Sequence, residues 1–342
     1  MKGVSIIMVN YNGIKYVGKK YLRESIEGFL DTDYPDFEFI FVDNASTDGS
    51  VEFVKNIFKK YINIEKRIVV NSTNLGFAGG CNRGIAVSRK ELICLVNNDD
   101  RPLNRSWLKE LVKVLESDSH IGVVFSKKLK WDNPLLIDAQ GITINPAGFV
   151  AGSSRIYTKI NSSNPFECLI WQTPVLFKKE LIRILGGKFF DEDYVILHDD
   201  TDTSLRIWLA GYKVICVPTS VVLHKRSATM RNLPVDFVVF HGRKNIIQTL
   251  IKCYEFRNLI KYLPITLLVY LLAINYYILV KRLDQARGTL KAILWNILNL
   301  KRILIKRKNV QRMRNVSDHV IMRRMAPLNL ATLLRGEKLW PR

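Results

Sequence analysis

Short apolar runs that alternate with amphipathic stretches constrain this chain more than any other feature of its sequence. The apolar runs, rich in β-branched and aromatic residues, predict buried strands at residues 4–9, 37–42, 68–70 and 93–96. The amphipathic stretches predict helices at residues 19–30, 51–61, 79–88 and 104–117. Strands that alternate with helices need crossover connections, so the sequence predicts an α/β fold with a mostly parallel sheet.

Beyond residue 120 the pattern is less regular, with several Gly, Pro and Asn turns. β-like runs occur at residues 123–125, 169–171 and 213–217, and a helical stretch occurs at 203–210. No internal repeat or low-complexity tract accompanies them.

A polar cluster follows each of the first four predicted strands. The clusters are residues 10–12, 43–49, 74–82 and 97–100. Each cluster alone is explained equally well as a turn, but four of them at the carboxyl ends of successive parallel strands predict a ligand site. A dinucleotide-binding fingerprint is excluded because its glycines would follow the first strand, and a P-loop is excluded because no Gly-Lys-Ser/Thr occurs.

Two groups of carboxylates are candidates for a role in this predicted ligand site. Asp99 and Asp100 end a strand among neutral amides, and such oxygen ligands suit Mg²⁺ or Mn²⁺ shared with substrate phosphates. A second acidic run extends over residues 191–202, where like charges require a cation or a functional role. The simpler explanation of this second run is a solvated loop followed by a helix N-terminus. His224 closes a later apolar run, and a lone histidine is usually structural.

Positive charge is concentrated in the last third of the chain. The net charge is +21, and residues 231–342 hold 22 Lys and Arg against 5 Asp and Glu. We therefore predict two parts, a nearly neutral globular domain over residues 1–230 and a basic, apolar helical region over 231–342.

The segments described above, taken in order, resemble family 2 glycosyltransferases of the GT-A fold, on their rhamnosyltransferase-like branch. The resemblance covers about residues 4–230, and the tail to about residue 316 is also similar to this branch. It is carried by VSIIMVNYNG, VDNASTDGS, NLGFAGGCNRGI, LVNNDD, FDEDYVILHDDTDTSLR and HKRS. It implies a Rossmann-like, mostly parallel sheet flanked by helices. The implied activity is inverting transfer of a sugar from a nucleotide-diphosphate sugar to a hydroxyl acceptor.

The resemblance also implies roles for single residues. Asp200 is the implied general base, with Asp199 as its alternative. Asp99 is the implied metal-binding carboxylate and His224 a metal or diphosphate ligand, with Mg²⁺ or Mn²⁺ as the cofactor. The implied nucleotide-binding residues are Asn10, Tyr11, Asn12, Asp43, Ser46, Asn74, Gly76, Gly79, Asn82, Asn97 and Asn98.

Three positions depart from the family pattern. Asn97 stands where the first Asp of Asp-x-Asp is expected, which removes one charge near the metal. Asp199 stands where a Glu is expected, so the choice of base between Asp199 and Asp200 stays open, and we prefer Asp200. Trp171 begins a Trp-Gln-Thr segment in place of a Gly-Ala run and is either a substrate contact or a core residue.

The basic region contains 19 consecutive uncharged residues at 262–280. A helix of that length measures roughly 28 Å, close to the roughly 30 Å of a bilayer core. A spanning helix would separate the following cations from the catalytic domain, which the positive-inside rule disfavours. The cations are Arg287, Lys291, Lys301, Arg302, Lys306, Arg307, Lys308, Arg312 and Arg314.

We therefore predict a monotopic arrangement at the cytoplasmic face of the cytoplasmic membrane. Apolar helices at about 259–282 and 289–305 would lie in the leaflet, and the cations would face anionic head groups. A two-pass hairpin, a buried helical subdomain and a homodimer interface are the alternatives. Five widely spaced cysteines favour reduced thiols, and the N-terminus predicts no cleavable secretory signal.

The expected partners are a nucleotide-diphosphate sugar, a lipid-linked or surface-glycan acceptor and an anionic membrane surface. No nucleic-acid partner is expected, because the cations flank an uncharged 19-residue segment rather than alternate with aromatic residues. The alternative function is a non-enzymatic membrane- or nucleic-acid-binding module on a degenerate nucleotide-sugar fold. Asp43, Asp99, Asp200 and His224 favour the enzyme.

Overall fold

The computed structural model describes residues 1–153, 163–225 and 232–333. The strands are β1 (Val4–Asn10), β2 (Phe37–Asp43), β3 (Glu65–Val70), β4 (Leu92–Asn97), β5 (Asp100–Pro102), β6 (Ile121–Lys130), β7 (Asn133–Ala139), β8 (Ile142–Ile144), β9 (Val150–Ser153), β10 (Phe166–Glu167), β11 (Val175–Lys178) and β12 (Lys213–His224). The helices are α1 (Gly13–Tyr16), α2 (Lys19–Leu30), α3 (Ser50–Phe58), α4 (Gly76–Val87), α5 (Trp107–Leu115), α6 (Leu181–Ile184), α7 (Asp199–Leu209), α8 (Val235–Cys253), α9 (Phe256–Leu279), α10 (Leu283–Leu298), α11 (Leu300–Arg312) and α12 (His319–Met322).

One large mixed sheet organises the first two thirds of the chain. Its main strand order is β10-β12-β6-β11-β4-β1-β2-β3. The pairs β1–β2, β1–β4, β2–β3 and β6–β12 are parallel, whereas β11 runs antiparallel to both of its neighbours. The predicted α/β class with a mostly parallel sheet is therefore confirmed.

The register of the parallel strands brings the polar clusters to one edge. Asn10 pairs with Asp43 across β1 and β2, and Val9 pairs with Asn97 across β1 and β4. The clusters that follow these strands consequently meet at the carboxyl edge of the sheet. Apolar side chains alternate between the two faces, because Ile7 lies in one core cluster and Ile6 and Met8 lie in the other.

Most predicted elements are present with longer or shifted limits. The predicted strands at 123–125 and 213–217 lie inside β6 and β12, and β12 continues to His224. The run at 169–171 is not a strand, because Ile170 forms only an isolated bridge with Ile142. The predicted helix at 203–210 begins earlier, at Asp199.

The C-terminal region packs against the sheet domain. Helix α8 is buried along most of its length, and its Ile246 and Leu250 lie in the same core cluster as strand residues such as Ile7 and Val123. The segment predicted as one helix at 289–305 is divided between α10 and α11, which meet at Asn299.

Helix α9 differs from α8 in its exposure. Among the described residues it is the one helix long and apolar enough to cross a membrane, and only 17% of its most apolar window is buried. Large apolar side chains are exposed on α9, α10 and their connection, among them Leu272, Leu279, Leu283, Ile297 and Leu298. An apolar surface of this extent is typical of an interaction site.

The carboxylates of the acidic run pair with cations of the C-terminal helices. Asp191 accepts from Lys252 at 2.7 Å and from Lys306 at 2.5 Å, and Asp193 pairs with Lys306 and with Arg302. The cation that the clustered carboxylates required is thus supplied by the chain itself.

This pairing corrects the prediction that the tail cations face lipid head groups as a set. Arg302 and Lys306 bind the acidic run, Arg307 donates to the carbonyls of Ile251 and Tyr254, and Arg314 pairs with Asp318. For Arg302 and Lys306, contact with the partly buried carboxylates is more favourable than a solvated position, because a carboxylate removed from water needs a counter-charge.

Asp202 is the most buried carboxylate of the acidic run, with 1% of its surface exposed. It contacts Arg206 Nε at 2.9 Å and Lys252 Nζ at 2.7 Å. We expect Asp202→Asn to lower the free energy of unfolding by about 3–5 kcal/mol, because two buried cations lose their shared counter-charge. Urea denaturation measures this loss.

The control for that prediction is Asp236→Asn, which removes a partly exposed carboxylate 3.4 Å from Lys291. Exposed ion pairs contribute about 0–1 kcal/mol, so this variant should unfold close to wild type. Equal effects of the two substitutions would contradict the structural role of Asp202.

Candidate active site

A cleft of about 640 Å³ opens at the carboxyl edge of the sheet. Of the residues with an implied catalytic, metal or nucleotide role, nine line it, namely Tyr11, Asn74, Gly76, Asn97, Asn98, Asp99, Asp199, Asp200 and His224. The polar clusters, the acidic run and the late histidine, which are far apart in sequence, thus converge on one cavity.

Asp43 organises the loop behind this cleft. Its carboxylate accepts hydrogen bonds from Asn10 Nδ2 at 3.0 Å, from the Ser46 hydroxyl at 2.6 Å and from the Ser46 backbone N–H at 2.8 Å. Asn12 continues the network, because its Oδ1 accepts the Thr47 N–H at 2.8 Å. Asn98 links the loop to the cleft by donating to Asn10 Oδ1 at 2.8 Å.

Four predicted nucleotide-binding residues are not part of the lining of this cleft. They are Asn10, Asn12, Asp43 and Ser46, and Asn10 and Asp43 are fully buried. Their hydrogen bonds fix the shape of the loop that borders the cleft. Direct contact between Asp43 and a nucleotide stays a prediction.

The start of α4 needs glycine for a geometric reason. Gly76 has a φ of +71°, and a Cβ atom there would lie 2.4 Å from the carbonyl oxygen of Val195. Asn74 Oδ1 accepts the Gly76 N–H at 2.9 Å, and Phe77 N–H donates to Val195 at 3.0 Å. The glycine segment is therefore in direct contact with the loop that precedes Asp199 and Asp200.

Gly79 and Asn82 do not line the cleft. A Cβ atom on Gly79 would meet the Leu75 side chain at 2.8 Å. Asn82 donates to the Phe190 carbonyl at 3.0 Å and accepts the Phe190 N–H at 3.2 Å. Both residues shape the helix and the acidic loop, and their predicted nucleotide contacts stay predictions.

His224 and Asp99 form the candidate metal site. Asp99 Oδ2 lies 3.4 Å from His224 Nε2, and the other ring nitrogen of His224 lies 2.7 Å from Asp138 Oδ2. This arrangement fits a divalent cation, because a metal-bound histidine usually donates its second N–H to a carboxylate. Sequence reasoning missed Asp138, which lies 86 residues before His224 in the irregular part of the chain.

Asp100 also lies within reach of this site but has a different partner. Both of its carboxylate oxygens accept from Lys128 Nζ at 2.9 Å, and the same ammonium donates to Thr173 Oγ1 at 3.0 Å. A buried carboxylate that holds an ammonium in this way is a poor metal ligand. Asp99 and His224 are therefore the stronger candidates for metal ligands, and Asp100 balances the charge of Lys128.

Ionisation at the metal site follows from these contacts. Burial and the Lys128 ammonium disfavour protonated His224, but Asp99 and Asp138 outweigh them and raise its pKa to about 9. Burial likewise opposes ionisation of Asp99, yet the neighbouring His224 holds the pKa of Asp99 below its usual value. A cation that binds His224 must displace a proton at neutral pH, so its affinity should rise with pH.

Asp199 and Asp200, the acidic pair, are the first two residues of helix α7. Burial raises the pKa of Asp200 to about 6, against the opposing hydrogen bond from Thr201 N–H at 2.6 Å. Burial and the adjacent Asp200 charge raise the pKa of Asp199 well above its usual value. Of the two, Asp200 is less strongly opposed to ionisation and is therefore the better candidate for accepting a proton.

Trp171 borders the cleft but belongs mainly to the core. Only 1% of its surface is exposed, and its ring packs against Phe189 and Phe190. Gln172 and Thr173, which follow it, also line the cleft. The core interpretation of Trp171 is thus the one that the structure supports.

Comparison with known proteins agrees with this geometry. Residues 5–159 match the family model described as glycosyl transferase family 2. In structure, the chain is similar to the mannosyltransferase PcManGT from Pyrobaculum calidifontis in complex with GDP-Man and Mn²⁺. That similarity has a TM-score of 0.54 at 18% identity and covers 98% of this chain and 86% of that one.

The fold is the GT-A glycosyltransferase fold. Two curated relatives align with parts of this chain. The O-antigen biosynthesis protein RfbC of Myxococcus xanthus is 25% identical over 61% of this chain. The uncharacterized glycosyltransferase MJ1057 of Methanocaldococcus jannaschii is 33% identical over 36% of it. The aligned regions span only 16% and 40% of these two relatives.

Asp138 provides a test of the metal site in this GT-A domain. We expect Asp138→Asn to weaken Mn²⁺ binding about 10–100-fold at pH 8, because the imidazole loses the carboxylate that orients it. Titration calorimetry measures the affinity. Asp132→Asn, which removes a nearby exposed carboxylate paired with Lys225, should bind Mn²⁺ like wild type. Equal affinity in both variants would contradict the role of Asp138.

Proposed function

We propose that this chain is an inverting, metal-dependent glycosyltransferase that transfers a sugar from a nucleotide-diphosphate sugar to a hydroxyl acceptor. The proposal rests on the set of residues that line one cleft. Asp99 and His224 lie on its wall, Asp200 lies at a helix N-terminus in the same cavity, and the loop that Asp43 organises adjoins it. The family 2 match over residues 5–159 supports the same assignment.

The donor is proposed from the fold and the metal site together. The similar mannosyltransferase is in complex with GDP-Man and Mn²⁺, and the Asp99–His224 pair offers one oxygen and one nitrogen ligand to such a cation. A bound divalent cation would neutralise the negative charge of the departing diphosphate. Amide groups of Asn74, Asn97 and Asn98 line the same cleft and offer neutral hydrogen bonds to the nucleotide.

Asp200 is the proposed general base. Its carboxylate takes the proton of the acceptor hydroxyl while that oxygen forms a bond to the anomeric carbon. The bond between the anomeric carbon and the diphosphate oxygen breaks on the opposite face, and the electron pair leaves with the nucleoside diphosphate. Asp199 is the less favoured base because burial and the adjacent Asp200 charge raise its pKa and so oppose its ionisation.

The acceptor is proposed to be a lipid-linked or surface glycan at the cytoplasmic face of the cytoplasmic membrane. Support comes from the exposed apolar residues of α9 and α10, which lie beside cations such as Lys281 and Arg282. A helix pair that combines apolar and basic side chains is typical of binding in the plane of an anionic membrane. The relative named for O-antigen biosynthesis is consistent with a glycan product.

A donor panel tests the proposed reaction. The purified chain with Mn²⁺ or Mg²⁺ should release nucleoside diphosphate from one of the UDP-, dTDP- and GDP-sugars, and chromatography detects the release. Asp99→Ala should abolish it by removing the oxygen ligand of the cation. Absence of binding and release with every donor and either metal would refute the enzymatic assignment.

Asp200→Asn separates catalysis from donor binding in the same assay. This variant should fold and bind the donor with wild-type affinity, whereas the rate should fall by a factor of about 10²–10⁴ because the base is lost. In wild type the rate should fall as the pH drops below about 6, since Asp200 becomes protonated there. Wild-type turnover by Asp200→Asn would contradict its role.

Flotation with vesicles tests the membrane surface. The chain should float with vesicles that contain an anionic phospholipid. The double variant Leu279→Glu and Leu283→Glu, at 81% and 64% exposed positions, should float at least tenfold less. Leu135→Glu, at a 92% exposed position on β7, is the matched control and should float like wild type. Flotation of the double variant at wild-type level would refute the assignment of this surface.

A further inference from the structure

One turn of helix α8 reaches the loop that leads to the catalytic pair. Asn245 Nδ2 donates to the carbonyl oxygens of Ile196 at 2.8 Å and Leu197 at 2.7 Å. The preceding residue, Lys244, donates to the Asp193 carbonyl of the same loop. Two successive side chains of α8 therefore hold backbone oxygens of one segment, residues 193–197, which we call the base loop.

The base loop needs such support because of its backbone conformation. Leu197 and His198 have φ values of +64° and +60°, a left-handed region that side chains other than Gly, Asn and Asp disfavour. These two residues immediately precede Asp199 and Asp200. Without outside contacts they would relax toward ordinary backbone angles and change the direction in which the acidic pair enters the cleft.

The orientation of the Asn245 amide is determined by its surroundings. The side chain is fully buried, and its Oδ1 has no hydrogen-bond partner among the described residues. Reversing the amide would place that oxygen against two carbonyl oxygens, which would be repulsive. The amide nitrogen thus donates two hydrogen bonds, while the amide oxygen accepts none among the described residues. Leaving a buried acceptor without a partner costs free energy, and the two bonds to the loop offset that cost.

Helix α8 is a rigid support for this contact. Next to Lys244, the Arg243 side chain is buried and donates to Thr289 of α10 and to Tyr277 of α9. Its guanidinium also lies 4.9 Å from the centre of the Tyr270 ring. The same turn of α8 is therefore fixed on one side to the helical region and on the other side to the base loop.

We propose that Asn245 is a positioning residue for the general base, one that sets the orientation of Asp199 and Asp200 through the carbonyls of Ile196 and Leu197. The proposal rests on the function proposed above. It assigns no substrate contact to Asn245, which does not line the cleft. Its loss should therefore reduce turnover while donor binding is retained.

The chain offers a matched control on helix α10. Asn296 is 3% exposed, its Nδ2 donates to the carbonyls of Lys244 at 3.1 Å and Ala292 at 2.9 Å, and its Oδ1 also has no partner among the described residues. It therefore has the same chemistry as Asn245, but neither of these two hydrogen bonds goes to the base loop. Asn245→Ala and Asn296→Ala remove equivalent side chains.

The test compares the two variants in the full chain with the donor that the panel identifies. We expect Asn245→Ala to lower kcat about 100-fold with the donor Kd within threefold of wild type, since a small displacement of a catalytic group has an effect of this size. Asn296→Ala should keep kcat within threefold of wild type, although both variants should unfold at a lower temperature. A similar kcat in the two variants would overturn the proposal.

Hydrogen exchange provides a readout that does not depend on activity. The amides of residues 196–201 should exchange faster in Asn245→Ala than in Asn296→Ala, because only the first variant frees the loop. Equal exchange there would refute the positioning role even if no donor were found, so this result is separable from failure of the proposed function. If Asn245→Ala does not fold, Asn245→Ser and Asn296→Ser carry the same comparison.

Discussion

The pairing of buried carboxylates with cations from another part of the chain holds this molecule together. Asp191, Asp193 and Asp202 would be too costly to bury alone, and Lys252, Lys306 and Arg302 compensate them. Two of these carboxylates, Asp191 and Asp193, precede helix α7 and Asp202 lies within it, whereas the cations lie on α8 and α11. Ion pairs between the two parts of the sequence therefore attach the helical region to the sheet domain.

Pairing of opposite charges also determines which carboxylates in the cleft are neutralised by the chain itself. The Lys128 ammonium neutralises Asp100, which leaves Asp99 and His224 to face a cation. Elsewhere in the same cleft, burial and their mutual repulsion raise the pKa of Asp199, and burial raises the pKa of Asp200. The proposed metal-binding pair and the proposed proton acceptor thus differ in the neighbours that surround each carboxylate.

The sequence predicted the features that depend on local pattern. The strands and their polar ends follow from apolar spacing, whereas the roles expected for Asp99, His224 and the acidic pair come from the resemblance to family 2 glycosyltransferases. Asp138 and Lys128 could not be predicted, because their proximity to the metal site arises from the pairing of β6 with β7 and with β12. Asn82 was read from its motif, whereas its contact with Phe190 depends on the packing of a loop more than a hundred residues away. Inward-facing cations such as Arg307 were indistinguishable in sequence from exposed ones, since the difference lies only in nearby carbonyl groups.

Helix α9 is attached to the rest of the protein along its length. Thr266 donates to the Ala147 carbonyl at 2.8 Å, the Tyr270 ring packs on Phe149, and Tyr277 contacts Arg243. A helix docked at three successive positions cannot tilt or swing independently of the sheet domain. In the proposed membrane arrangement, the cleft therefore stays at a constant height above the lipid surface. Such an enzyme would select acceptors by the distance between their lipid anchor and their reactive hydroxyl, so the spacer length of the acceptor would become a determinant of specificity.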